Sequence, residues 1–256
     1  MAAYVYLNGV CTWYDEQGAG KPLVLFHPGG VGVDSQAFGP NLQALSSHFR
    51  VLLPERRGHG HSPDTDDPYS YDLMADDMIL FLEQVVGGPA RLLGMSDGAI
   101  VALTVAVKRP DLVQRLICVG GVFHNAGWAE GVINPDPEPP DFLIGHYGDV
   151  SPDGEGHFAV VAEKLNQMHS AGPKFTTDDL KKIHCRTLVM VGDDDEVMLE
   201  HAIDFYRGLP EGELAIVPGT SHGLLVEKPE LCNQIIVDFL TSDPVPTLAP
   251  IRRAPA

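Results

Sequence analysis

Ser96 stands in Gly94-Met95-Ser96-Asp97-Gly98, between the apolar run Ala90-Arg91-Leu92-Leu93 and a stretch of small apolar residues beginning at Ala99. A G-x-S-x-G between a strand and a helix is a strained turn that holds a hydroxyl out at the strand's carboxyl end. The flanking glycines clear the close approach of strand and helix. A serine hydroxyl attacks a carbonyl only when a neutral imidazole takes its proton, and that imidazole needs an acid on its other nitrogen. Of the eleven histidines, His222 follows the apolar run Leu214 to Val217 by one short loop, which puts it at the same carboxyl edge as Ser96. The acid is sought among Asp193, Asp194 and Asp195, which follow the run ending near Gly192. Three adjacent carboxylates repel one another, so at least one should face solvent. As metal ligands they lack companions at suitable spacing, and no metal is expected. Attack on a carbonyl creates an oxyanion that needs two backbone N–H groups. Asp97, directly after the serine and at a helix N-terminus, offers one. The other should come from the loop after Phe26, where Pro28 has no N–H and is excluded.

These residues need a scaffold that ends several strands side by side. Short unbroken apolar runs recur at Leu23–Phe26, Val51–Leu53, Ala90–Leu93, Arg115–Val119, Thr187–Val191 and Leu214–Val217. Runs of that kind suit strands buried on both faces of a parallel sheet. Before them, Asn8-Gly9 between Tyr4–Leu7 and Val10–Tyr14 predicts a hairpin. Helical spacing predicts helices over Tyr71–Val86, Ala99–Arg109 (stopped by Pro110), Leu199–Leu209 and Pro229–Leu240. Strands alternating with helices imply an α/β protein with a mostly parallel sheet. The alternation breaks between Val122 and Cys185. There Pro135, Pro137, Pro139, Pro140 and Pro152 predict a loop-rich insert, followed by a helix over His157–His169 and a short one starting at Thr177. A proline-rich tail over 243–256 is expected to be disordered.

With 17 basic and 35 acidic residues among 256, the chain carries a formal charge of −18. That balance argues against nucleic acid and anionic membrane surfaces, and leaves a neutral or cationic small molecule as the better partner. The four cysteines, at 11, 118, 185 and 232, include no C-x-x-C. The N-terminus lacks a secretory pattern, so a cytoplasmic location is expected. Assembly as a monomer or a homodimer is left open.

Five motifs in this order resemble the α/β-hydrolase superfamily, over the whole chain except its tail. Besides the serine turn, Leu25-Phe26-His27-Pro28-Gly29-Gly30 resembles the family's oxyanion loop. Glu55-Arg56-Arg57-Gly58-His59-Gly60-His61-Ser62 resembles its R-G-x-G-x-S loop. Val191-Gly192-Asp193-Asp194-Asp195 resembles its acid loop, and Pro218-Gly219-Thr220-Ser221-His222 its histidine loop. The resemblance implies an α/β-hydrolase fold: a mostly parallel central sheet flanked by helices, with a core over 1–121 and 186–242 and a small inserted cap over 122–185. It also implies a cofactor-independent serine hydrolase in which Ser96 is the nucleophile and His222 the base. The family's acid stands three residues after the loop glycine, which selects Asp195 ahead of Asp194. Gly29 takes the family's donor position beside Asp97, with Gly30 in reserve, and His27 anchors that loop.

Ser96-Asp97-Gly98 and the acid-rich composition resemble the valacyclovir-hydrolase-like branch of the superfamily, which cleaves α-amino-acid esters. A carboxylate beside the oxyanion would oppose the charge that catalysis creates. Asp97 is therefore expected either to cap its helix or to meet a substrate ammonium, the latter implying a preference for α-amino-acid or other cationic esters. Phe123, Trp128 and Phe142 of the insert are candidates for an apolar wall over Ser96, although most of the insert's apolar side chains should form its own small core. Small-molecule carboxylic esters are the expected substrates. A carbon–carbon bond hydrolase of a diketone, a lactonase or a perhydrolase could use the same residues. A receptor on the same fold is the reading from a different class. An aspartate nucleophile, as in epoxide hydrolases, is disfavoured by Ser96.

Overall fold

Alternate residues along each central strand go to opposite faces, and here both faces are covered. The computed structural model describes residues 2–133, 140–244 and 246–251. Strands β1 (Ala3–Leu7) and β2 (Val10–Gln17) pair antiparallel around Asn8-Gly9, both residues at positive φ, as a two-residue hairpin turn requires. They are followed by β3 (Pro22–Phe26), β4 (Arg50–Pro54), β5 (Ala90–Met95), β6 (Val113–Val119), β7 (Arg186–Gly192) and β8 (Gly212–Val217). The order in the sheet is β1-β2-β4-β3-β5-β6-β7-β8. Only the first two pairings are antiparallel. The chain moves outward from β3 to β4, then returns to place β5 on the other side of β3. A sheet that reverses direction in this way opens a crevice at the carboxyl ends of the two strands.

The helices are α1 (Gly39–Ser46), α2 (Tyr71–Phe81), α3 (Asp97–Lys108), α4 (Asp141–Val150), α5 (Phe158–Ala171), α6 (Thr177–Leu180), α7 (Leu199–Gly208), α8 (Leu224–Glu227) and α9 (Pro229–Thr241). Val24, Phe26, Leu92, Leu116 and Cys118 point to one face, where Met74, Met78, Ile100, Leu103 and Phe205 cover them. Their neighbours Leu23, Leu25, Leu93, Ile117 and Val119 point to the other, under Leu45, Ile236 and Phe239. The unbroken apolar runs thus supply two cores at once. Among the described residues no helix is long and apolar enough to cross a membrane.

Three elements differ from the sequence reading. The helix expected to reach Val86 is α-helical only to Phe81. It widens to a π turn over Leu82–Val86 and stops at left-handed Gly87. The proline-punctuated insert is not all loop: α4 starts directly after Pro140, with Asp141 favourably placed in its first turn. Tyr147, Phe158, Leu165 and Met168 of the insert share one core with Tyr69, Tyr71 and Met74 rather than forming a separate one. Pro135, Pro137 and Pro139 lie outside the described residues. So does part of the 243–256 tail, whose described residues form neither helix nor strand.

Candidate active site

The turn after β5 is tight because of its glycines. A Cβ at Gly94 would sit 2.1 Å from the Gly98 carbonyl oxygen, and one at Gly98 would sit 2.0 Å from that of Phe26. Helix α3 can therefore lie directly against β3 and β5. Ser96 adopts φ 54°, ψ −123°, a region that L-residues visit only under constraint. The constraint is visible: Ser96 N–H donates to Val119 O, and Ser96 O accepts from Ala99 and Ile100.

His222 Nε2 lies 3.0 Å from Ser96 Oγ, and His222 Nδ1 lies 2.7 Å from Asp195 Oδ1. Asp195 also accepts from the N–H groups of Gly192 (2.9 Å) and Val197 (3.1 Å), which hold its carboxylate in place against the imidazole. Burial raises the Asp195 pKa, but the bonds and charge it receives from His222 outweigh this and leave it below its usual value. Burial pulls His222 down, and Asp195 more than reverses that, so the imidazole is more basic than usual. The other two aspartates of the loop are exposed. Asp193 accepts from Thr220 N–H, which ties the acid loop to the histidine loop. Among the described residues no cluster of three or more His, Cys, Asp or Glu could hold a metal.

The loop after β3 is held from below. Arg56 is buried and donates to the carbonyls of His27 (2.6 Å) and Pro28 (3.0 Å). Arg56 N–H donates to His27 Nε2, so His27 carries its proton on Nδ1, 2.7 Å from Pro28 O. Burial first, then the charge of Arg56, push His27 well below its usual pKa, so it stays neutral. Gly29 passes so close to Asp97 that a Cβ there would sit 1.9 Å from Asp97 Oδ2. The N–H of Asp97 belongs to the first turn of α3 and has no acceptor within that helix.

The Asp97 side chain is buried and occupied. Tyr71 donates its hydroxyl to Oδ1 at 2.7 Å, and His169 Nε2 lies 2.7 Å from Oδ2. Burial raises the Asp97 pKa, but His169, Arg56 and Tyr71 together hold it well below the carboxylate range. The carboxylate expected either to cap its helix or to meet a substrate ammonium is thus already bonded within the protein, by Tyr71 and His169. That pairing also removes the expected conflict between Asp97 and an oxyanion.

A cavity of about 320 Å³ opens over Ser96. Its walls include Gly29, Gly30, Val33, Asp97, Trp128, Val132, Ile133, His169, Glu196 and His222. Trp128 is bridged to Val197 and presents its ring edge-on to His222, with centroids 5.9 Å apart. Two residues expected at the wall are elsewhere. Phe142 is 72% exposed on α4 and does not line the cavity. Phe123 is buried, stacked on His201 at 4.2 Å and packed on Phe205. His169, Tyr71, Arg56 and Glu196 were not singled out from the sequence as site residues. Arg56 had a signal in the R-G-x-G-x-S loop. His169 had none, since its partner is 72 residues away.

A model of the alpha/beta hydrolase family matches residues 23–235. The (E)-2-((N-methylformamido)methylene)succinate hydrolase of Acinetobacter baylyi is 27% identical over 260 residues, covering 93% of this chain and 97% of that one. The human serine hydrolase BPHL is 27% identical over 263 residues, covering 93% of this chain and 86% of the relative. Among solved structures, a serine hydrolase involved in carbazole degradation matches with a TM-score of 0.78 at 24% identity. That match covers 94% of this chain and 98% of the other, a likeness of fold.

Proposed function

The chain belongs to the alpha/beta hydrolase family, with that family's fold, and is a hydrolase; from this premise we propose that it cleaves carboxylic esters of small molecules through an acyl-enzyme on Ser96. The observation that carries the reading is the continuous relay from Ser96 Oγ through His222 to Asp195, at 3.0 and 2.7 Å. In the first step His222 Nε2 takes the hydroxyl proton as Ser96 Oγ bonds to the ester carbonyl carbon. Asp195 balances the imidazolium and keeps Nε2 facing the serine. The carbonyl oxygen, now negative, lies between the N–H groups of Gly29 and Asp97. His222 returns the proton to the departing alcohol as the C–O bond breaks. Water, deprotonated by the same imidazole, then attacks the acyl group and frees Ser96.

Trp128, Val33, Val132 and Ile133 give the cavity apolar walls suited to the hydrocarbon part of such an ester. The test combines fluorophosphonate labelling with a panel of phenyl esters, a lactone and a vinylogous diketone. The reading expects a Ser96 adduct, absent in Ser96→Ala, and turnover of the esters. Labelling without ester turnover, or turnover of the diketone alone, would overturn the ester assignment.

A further inference from the structure

Two charged side chains outside the relay reach the cavity, and their surroundings differ. Glu196 is 53% exposed, with Oε2 3.8 Å from His222 Nε2, so water screens much of its charge. His169, on the last turn of α5, is only 28% exposed and rests on a carboxylate that is itself buried. Behind that carboxylate lies Arg56, whose guanidinium donates to the carbonyls of His27 and Pro28 and has no carboxylate partner among the described residues. The buried cluster beside Ser96 therefore sets two basic side chains, Arg56 and His169, around the Asp97 carboxylate. Among the described residues nothing bonds to His169 Nδ1, so with Nε2 on Asp97 the ring keeps its second nitrogen for a ligand.

We propose that His169 is a specificity-determining residue: paired with Asp97 at the cavity wall, it takes a carboxylate carried on the acyl part of the substrate, so that monoesters of dicarboxylic acids are preferred to neutral or ammonium-bearing esters. The proposal rests on the serine-hydrolase reading for what happens next to Ser96, but its recognition step can be measured without turnover. Asp97 supports it by favouring the charged form of His169, even though burial works in the opposite direction. A substrate ammonium at the same place would set donor against donor at His169, which disfavours it.

The test uses Ser96→Ala, which retains the cavity without the nucleophile, titrated calorimetrically with succinate, butyrate and 4-aminobutyrate. Each acid can place one carboxylate at the oxyanion position, and they differ in the group at the far end. Succinate should bind about 10-fold more tightly than butyrate, as a charge-assisted hydrogen bond allows, and 4-aminobutyrate most weakly. Adding His169→Gln should erase the succinate advantage, and His169→Lys, which keeps a cation, should retain it. Equal binding of succinate and butyrate, or an advantage that survives His169→Gln, would overturn the proposal. In parallel, the kcat/KM ratio of phenyl hemisuccinate to phenyl butyrate should fall in His169→Gln and recover in His169→Lys. Failure of every ester and of fluorophosphonate labelling would remove the ester reading while the binding titration still decides the role of His169.

Discussion

Replacing Asp195 by asparagine changes one oxygen to an NH₂ group, and the structure shows why no orientation of that amide suffices. Asp195 accepts at both oxygens: Oδ2 from Gly192 N–H, and Oδ1 from Val197 N–H and His222. With the amide nitrogen toward Gly192, two donors face each other, and a buried unsatisfied N–H costs about 1–3 kcal/mol of stability. His222 then keeps the right tautomer, but its imidazolium loses the carboxylate charge. At an effective dielectric of about 20, two unit charges about 4 Å apart attract by about 4 kcal/mol. At about 1.36 kcal/mol per tenfold, that is about a 10³-fold loss of rate. In the other orientation the amide donates to His222 Nδ1. The ring proton then moves to Nε2, and the base points a proton at the serine it should deprotonate, which costs about 10⁴-fold. Asp195→Asn is therefore expected to lower kcat by about 10³- to 10⁴-fold. Pre-steady-state bursts with a chromogenic ester, alongside the rate of fluorophosphonate labelling, measure this. Asp194→Asn is the control, because Asp194 is exposed and its side chain makes no bond to His222. The reasoning fails if Asp195→Asn stays within about tenfold of the parent, or if Asp194→Asn is the damaging change.

Two further outcomes follow from the same geometry. Because His222 must be neutral to act as base and Asp195 raises its pKa, kcat/KM should fall as pH drops through a value above that of an ordinary histidine, about 6.5. A wild-type pH profile whose acid limb lies below that value would contradict the assignment. Arg57 is fully buried and held by Asp77 at 2.8 and 2.9 Å, so Asp77→Ala strands a buried cation and should destabilise the fold by about 3–5 kcal/mol. Asp67, 63% exposed and 3.4 Å from the same guanidinium, should contribute under about 1 kcal/mol. Urea denaturation of the two alanine variants compares them, and similar losses would refute the distinction.

Much of the architecture could be read from local pattern. The apolar runs at Leu23–Phe26, Ala90–Leu93 and Thr187–Val191 are strands covered on both faces, and Asn8-Gly9 is the turn of a hairpin. Turn and strand chemistry are short-range, so a few adjacent residues suffice to specify them. The same holds for Ser96, whose two glycines are required by clashes with atoms of its immediate neighbours and of β3. Local pattern was weakest in the insert. Its prolines suggested loop where α4 forms, and its aromatics could not be sorted into wall and core. Phe123 and Phe142 are both apolar and both near the cavity in sequence, yet one stacks in the core and the other faces solvent.

By itself the sequence determined which residue types were present to do chemistry and at which strand ends they would stand. The tertiary structure alone decided the partners. It turned Asp195, rather than its two neighbours, toward an imidazole 27 residues away, and brought that imidazole to a serine 126 residues away. It also gave Asp97 to His169 and Tyr71, which converts a free carboxylate beside the nucleophile into the centre of a buried hydrogen-bonded cluster. The reason is that a strand or turn is settled by neighbours along the chain. The state of a buried charge is settled by whatever packing places within a few ångströms of it, and spacing along the chain does not carry that information.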